Sequence, residues 1–130
     1  MKKLLLLALL LPSFATASTI YTPFEYVCAA LLSVDCREMS QPAIVYTRLM
    51  DSMQKHGAYV SGEHVLFISP NAPPETVVHE MAHYVLYEAG LDLDRCLSEE
   101  TARRIHHMWL KDEYTEDWRL SYGCLLPSEE

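Results

Sequence analysis

A chain of 130 residues has room for one domain, and its 18 acidic against 10 basic side chains give a formal charge of −8. That balance argues against nucleic acid or an anionic membrane as a partner, because both require a basic surface. It says nothing positive about a substrate.

The N-terminus reads as an export signal. Lys2 and Lys3 precede an almost pure leucine run from Leu4 to Leu11, Pro12 breaks the run, and Ala15-Thr16-Ala17 fits a small-residue cleavage site. Residues 1–17 are therefore expected to be removed before Ser18, leaving a single domain over 18–130 that is exported, periplasmic or secreted. The apolar run is shorter than the roughly 20 residues that a membrane span needs. The first cysteine, Cys28, is too far from the cut to carry lipid, so no stable membrane anchor is expected after cleavage. Losing the two lysines takes the formal charge from −8 to −10.

Cys28, Cys36, Cys96 and Cys124 remain, and an even count in an exported chain reads as a disulfide framework. None of them forms a C-x-x-C pair, which gives a thiolate zinc site little support. Of the three possible pairings, Cys28–Cys36 with Cys96–Cys124 is preferred.

In chain order, Pro23 opens a first helix carrying Val27, Ala30, Leu31 and Val34. It must end before Cys36, since eight residues of straight helix would hold the two thiols about 12 Å apart. A second helix is expected after Pro42, with Val45, Leu49, Met50 and Met53 on one face and Gly57 just past its end. The period then changes. Ala58-Tyr59-Val60 and Val65-Leu66-Phe67-Ile68 flank Ser61-Gly62-Glu63-His64, the pattern of a β-hairpin whose second strand is the better buried. Asn71 to Pro74 is a loop, and Glu75 to Ala89 is one amphipathic helix stopped by Gly90. Ser98 is the expected N-cap of a last helix running to about Leu110, and the tail from Asp112 to Cys124 has no distinct pattern. The order of helices, hairpin and helices makes an α+β domain, mostly helical, with the hairpin beside the fourth of these segments.

That segment carries His79-Glu80-Met81-Ala82-His83. Residues four apart share a helix face, so His79 and His83 can grip one Zn²⁺. Glu80 stands about 100° round the helix, within reach of a water there and not placed as a ligand, the position of a general base. Val77, Val78, Ala82, Val85, Leu86 and Ala89 supply an apolar stripe around the motif. The blander reading is a helix whose two histidines are satisfied polar core residues.

On these residues the chain resembles the zincin metallopeptidases, whose hallmark is HExxH on an active-site helix. The resemblance covers about residues 58 to 110 and implies a zinc-dependent peptidase acting on peptide or protein substrates. It also implies a hydrophobic edge strand ahead of the helix, a place that Val65 to Ile68 matches. The metzincin extension is absent, because Leu86 and Ala89 stand where its glycine and last histidine would be. The gluzincin branch takes a glutamate from the next helix, and Glu99 and Glu100 are the two candidates. With Ala102, Ile105 and Trp109 as the buried stripe, Glu99 lies about 80° from its centre and Glu100 nearly opposite, toward solvent. Glu99 is the preferred third ligand and Glu100 the alternative; Asp92 and Asp94 are weaker candidates. Either glutamate could instead simply complement a helix dipole.

His106 is seven residues past Glu99 on the same side. It could stabilise an oxyanion or support a ligand, although a partly exposed surface histidine is the plainer view. Arg103 could pair with Glu99 or Glu100, and would compete with metal ligation if it chose Glu99. His107, His56 and His64 are read as surface or turn residues, and the tryptophans and tyrosines as core or rim. The competing function is a non-catalytic, disulfide-stapled zinc-binding or interaction protein, including an inactive relative of the peptidases. A Glu80 that faces the water position separates the peptidase from a protein that buries Glu80 in an ion pair.

Overall fold

The computed structural model describes residues 21–91 and 93–126. The export signal over 1–17, its cut before Ser18, and Asp92 lie outside the described residues.

Helix α1, Pro23–Ala30, starts with a reciprocal cap. Thr22 Oγ1 accepts from Glu25 N at 3.1 Å, Glu25 Oε1 accepts from Thr22 N at 3.1 Å, and Pro23 occupies the first turn, where no amide hydrogen is needed. The helix ends at Ala30, and the chain turns back so that Cys28 and Cys36 form a disulfide with their Cα atoms 6.2 Å apart.

The expected helix after Pro42 is not there. Ala43–Tyr46 forms strand β1, and only one helical turn, α2 (Leu49–Ser52), follows it. Ile44, Val45 and Tyr46 are β-branched or aromatic, and they pair in parallel with a strand some twenty residues on, a partner that local periodicity cannot report. The apolar residues that suggested a helix face do not form one: Val45, Leu49 and Met53 are 40, 58 and 50% exposed, and only Met50 is buried.

The hairpin is present. Strand β2, Gly57–Tyr59, pairs antiparallel with β3, Val65–Ile68, with Ala58 opposite Phe67. Leu66 and Ile68 of β3 point into the core, and β3 is the better buried of the two. The sheet order is β1-β3-β2, so β3 lies in the middle and cannot be the edge strand that the resemblance implied. Strand β2 lies at an edge of the sheet and packs on the following helix. The register makes His56 and Ser69 partners, and Ser69 N donates to His56 O at 2.7 Å. Alternation then turns the peptide groups of Gly57 and Tyr59 away from β3, toward the open edge.

Helix α3 runs Glu75–Glu88 and ends at Gly90, whose φ of 75° suits glycine. Helix α4 runs Arg95–Leu110. Its N-cap is Asp94, whose carboxylate accepts from Leu97 N at 2.8 Å. The helix thus begins a turn earlier than Ser98 suggested, and Asp94 acts as a cap with no place in the metal group. Val78, Met81, Ala82 and Val85 of α3 bury themselves against Ala102 and Ile105 of α4, Leu66 and Ile68 of β3, and Val27, Ala30 and Leu31 of α1. Together these elements make a small α+β domain.

The tail that looked featureless packs over α4. It contains a 3₁₀ turn, Leu120–Tyr122, and the second disulfide, Cys96–Cys124, ties it to the first turn of α4. Both cysteine pairings match the preferred ones, and among the described residues no cysteine is free. Two disulfides fit an oxidising, exported environment. No described helix is long and apolar enough to cross a membrane.

Candidate metal centre

Helix α3 presents His79 and His83 on one face, and α4 packs across that face with Glu99 opposite them. The α3–α4 contact fixes the rotation of α4: Ala102 and Ile105 are fully buried, and this turns Glu99 inward to only 4% exposure. A carboxylate so deeply buried must be paired. His79 Nε2 lies 3.1 Å from Glu99 Oε2, and His83 Nε2 lies 3.1 Å from Glu99 Oε1. One ligand atom from each of the three lies within 4.8 Å of the others, an arrangement that can hold a metal ion.

The second nitrogen of each imidazole is occupied, which orients the first. His83 Nδ1 meets Ser98 Oγ at 2.9 Å. Because α4 starts at Arg95, Ser98 lies inside the helix and its hydroxyl is available to His83 rather than to a cap. His79 Nδ1 meets His106 Nδ1 at 3.0 Å. Burial, together with the charges of His79, His107 and Arg103, lowers His106 to about 4. The Nδ1–Nδ1 contact with His106 leaves His79 Nε2 facing Glu99. Tying Nδ1 in this way is the usual device for aiming Nε2 at a cation. His106 is therefore half-buried beside a candidate ligand, where the plainer reading had placed it at the surface.

Burial alone would raise the Glu99 carboxyl. The hydrogen bonds from His79 and His83, and their charge, outweigh it and hold the group well below the usual carboxylate range. Arg103 Nε adds a bond to Glu99 Oε2 at 2.7 Å.

Glu100 does not face solvent as its angle on the helix suggested. Its Oε2 takes Arg104 Nε at 2.8 Å and its Oε1 takes Arg119 Nη2 at 2.6 Å, because the tail covers this side of α4. Glu100 anchors the tail and stands apart from the imidazoles.

Glu80 lines a cleft with two lobes, of about 430 and 410 Å³, that share Lys55, Gly57, His79, Glu80 and Tyr122. It makes no hydrogen bond or ion pair among the described residues. Sequence reasoning missed three contributors: Ser98, read as a cap; Gly57, read as a helix stop; and Tyr122, read with the other tyrosines as core or rim. The preferred pairing of Cys124 with Cys96 was a signal for the last, since it brings Tyr122 to the start of α4. His56 lines one lobe without joining the metal group, His64 Nδ1 meets Tyr84 Oη at 3.1 Å, and His107 pairs with Asp112.

Two imidazole nitrogens and one carboxylate oxygen form a donor set that can hold a metal ion. Comparison with protein-family models, with curated proteins and with solved structures finds no match.

Proposed function

We propose that this chain is an exported, periplasmic or secreted zinc-dependent peptidase of the zincin type, with His79, His83 and Glu99 as metal ligands and Glu80 as general base. The observation that carries the reading is Glu80, which has no hydrogen-bond or ion-pair partner among the described residues and lines a cleft beside two partly buried histidines and a buried glutamate.

Bound zinc would act as a Lewis acid toward a substrate carbonyl and would acidify a water. Glu80 then accepts a proton from the attacking water and passes it to the departing amine nitrogen. His106 and Ser98 keep the two imidazoles aimed. The outward peptide groups of Gly57 and Tyr59 offer an extended substrate main-chain hydrogen bonds along β2.

The alternative is a non-catalytic zinc-binding or interaction protein. A closed structural site uses four protein ligands, and the group here has three among the described residues. The test is metal analysis of the purified mature protein with peptide hydrolysis measured beside it. Stoichiometric zinc in both parent and Glu80→Gln, with hydrolysis in the parent alone, supports the peptidase. Zinc without hydrolysis of any peptide supports the non-catalytic protein. Ferrous iron, which accepts the same donor set, would overturn the choice of zinc.

A further inference from the structure

We infer that the C-terminal segment completes the metal centre by way of Arg103, which acts as a positioning residue for Glu99. The inference rests on the reading of His79, His83 and Glu99 as metal ligands.

Arg103 lies one turn after Glu99 on α4, and its Nε donates to Glu99 Oε2 at 2.7 Å. The same oxygen faces His79 Nε2, while Oε1 faces His83 Nε2, each at 3.1 Å. A glutamate side chain has several rotatable bonds and on its own would sample many orientations. A guanidinium, always charged and fixed against one carboxylate oxygen, favours one of them. Arg103 engages a single oxygen and leaves Oε1 toward His83, which makes it an orienting group rather than a competitor for the whole carboxylate.

Arg103 is in turn held from the tail. Its guanidinium lies over the rings of Trp118 at 5.3 Å and Tyr122 at 5.4 Å, within cation–π range. Trp118 is buried, and its indole nitrogen donates to Tyr114 Oη. Tyr122 is fixed from α4 as well: Arg95 Nη1 donates to its carbonyl at 2.6 Å and lies against its ring at 5.1 Å. Cys124, two residues on, is bonded to Cys96, three residues before Glu99. The tail thus donates no ligand, yet it fastens the group that orients one and contributes Tyr122 to both lobes of the cleft.

The test reads zinc affinity on the full mature chain by competition with a chromophoric chelator, without using activity. Arg103 is partly exposed, so replacing it leaves the core intact. Arg103→Gln is expected to weaken zinc binding by about 10–100-fold, the usual effect of losing a group that orients a ligand. Arg103→Lys keeps the charge and should recover part of that loss. The Cys96→Ser/Cys124→Ser pair should weaken zinc binding in the same direction, whereas Cys28→Ser/Cys36→Ser should leave it unchanged. Zinc held as tightly or more tightly by Arg103→Gln would overturn the inference, and so would equal losses from the two disulfide deletions. If His79→Ala keeps full zinc affinity, the metal-site reading itself fails and this inference with it.

Discussion

Gly57 on β2 stands directly against Glu80 on α3. A β-carbon added at residue 57 would lie 3.2 Å from Glu80 Cγ, 2.9 Å from Thr76 Cγ2 and 3.1 Å from Ile68 Cδ1. The glycine is required by this close approach of strand to helix. Through it, the edge strand and the candidate general base are set at a fixed spacing.

Gly57→Ala is therefore expected to separate β2 from α3 and to displace Glu80, while leaving His79, His83 and Glu99 in place. Overpacking of this kind costs about 1–3 kcal/mol of stability. A misplaced catalytic group costs on the order of 10²-fold in rate. Zinc content, hydrolysis and thermal unfolding measured on one preparation check it. Loss of zinc together with activity would place Gly57 under the metal ligands rather than under Glu80.

The helical and hairpin parts of this fold were legible because they are written locally. The period of residues 75–89 and the stop at Gly90 define α3, and the buried stripe of Ala102 and Ile105 turns Glu99 rather than Glu100 toward the histidines. Strand β1 was illegible because its hydrogen bonds go to Val65–Ile68, while Val45, Leu49 and Met53 happen to recur at helical spacing. The start of α4 was placed at Ser98, whereas Asp94 is the residue that caps the helix, its carboxylate accepting from Leu97 N. The tail has no periodicity to read, since a disulfide and the Glu100–Arg119 pair give it its course.

The chemical state of the cysteines gives a second prediction. The exported protein should begin at Ser18 and contain Cys28–Cys36 and Cys96–Cys124, with no thiol open to alkylation before reduction. Intact mass before and after reduction should differ by four hydrogens. Four alkylated cysteines in the unreduced protein would contradict both disulfides.

The interface between α3 and α4 gives a third. Ile105 is fully buried between the helix that carries the histidines and the helix that carries Glu99. Ile105→Ala should cost about 2–5 kcal/mol through lost burial and the cavity left behind. Because the cavity loosens the pair of helices that brings the three ligand groups together, zinc should protect this variant against denaturant more weakly than it protects the parent. Equal protection by saturating zinc would mean that the ligand geometry does not depend on this contact.

The last prediction separates the two neighbouring glutamates. Glu99 faces both imidazoles, and Glu100 faces Arg104 and Arg119, so the same substitution should give opposite outcomes at the two positions. Glu99→Ala removes one of three donors and should abolish stoichiometric zinc, because two histidines alone make a poor site. Glu100→Ala should keep zinc, since the ligands and the Cys96–Cys124 clamp remain. Its cost falls on stability instead. Arg119 is only 5% exposed, and losing its Glu100 partner should cost roughly 1–3 kcal/mol, with Glu116 at 2.6 Å limiting the damage. A solvent-exposed charge in a first helical turn would cost about 0.3–1 kcal/mol. Zinc stoichiometry and urea unfolding, measured on both variants, check the pair. A Glu100→Ala protein that loses zinc while Glu99→Ala keeps it would reverse the assignment of the third ligand.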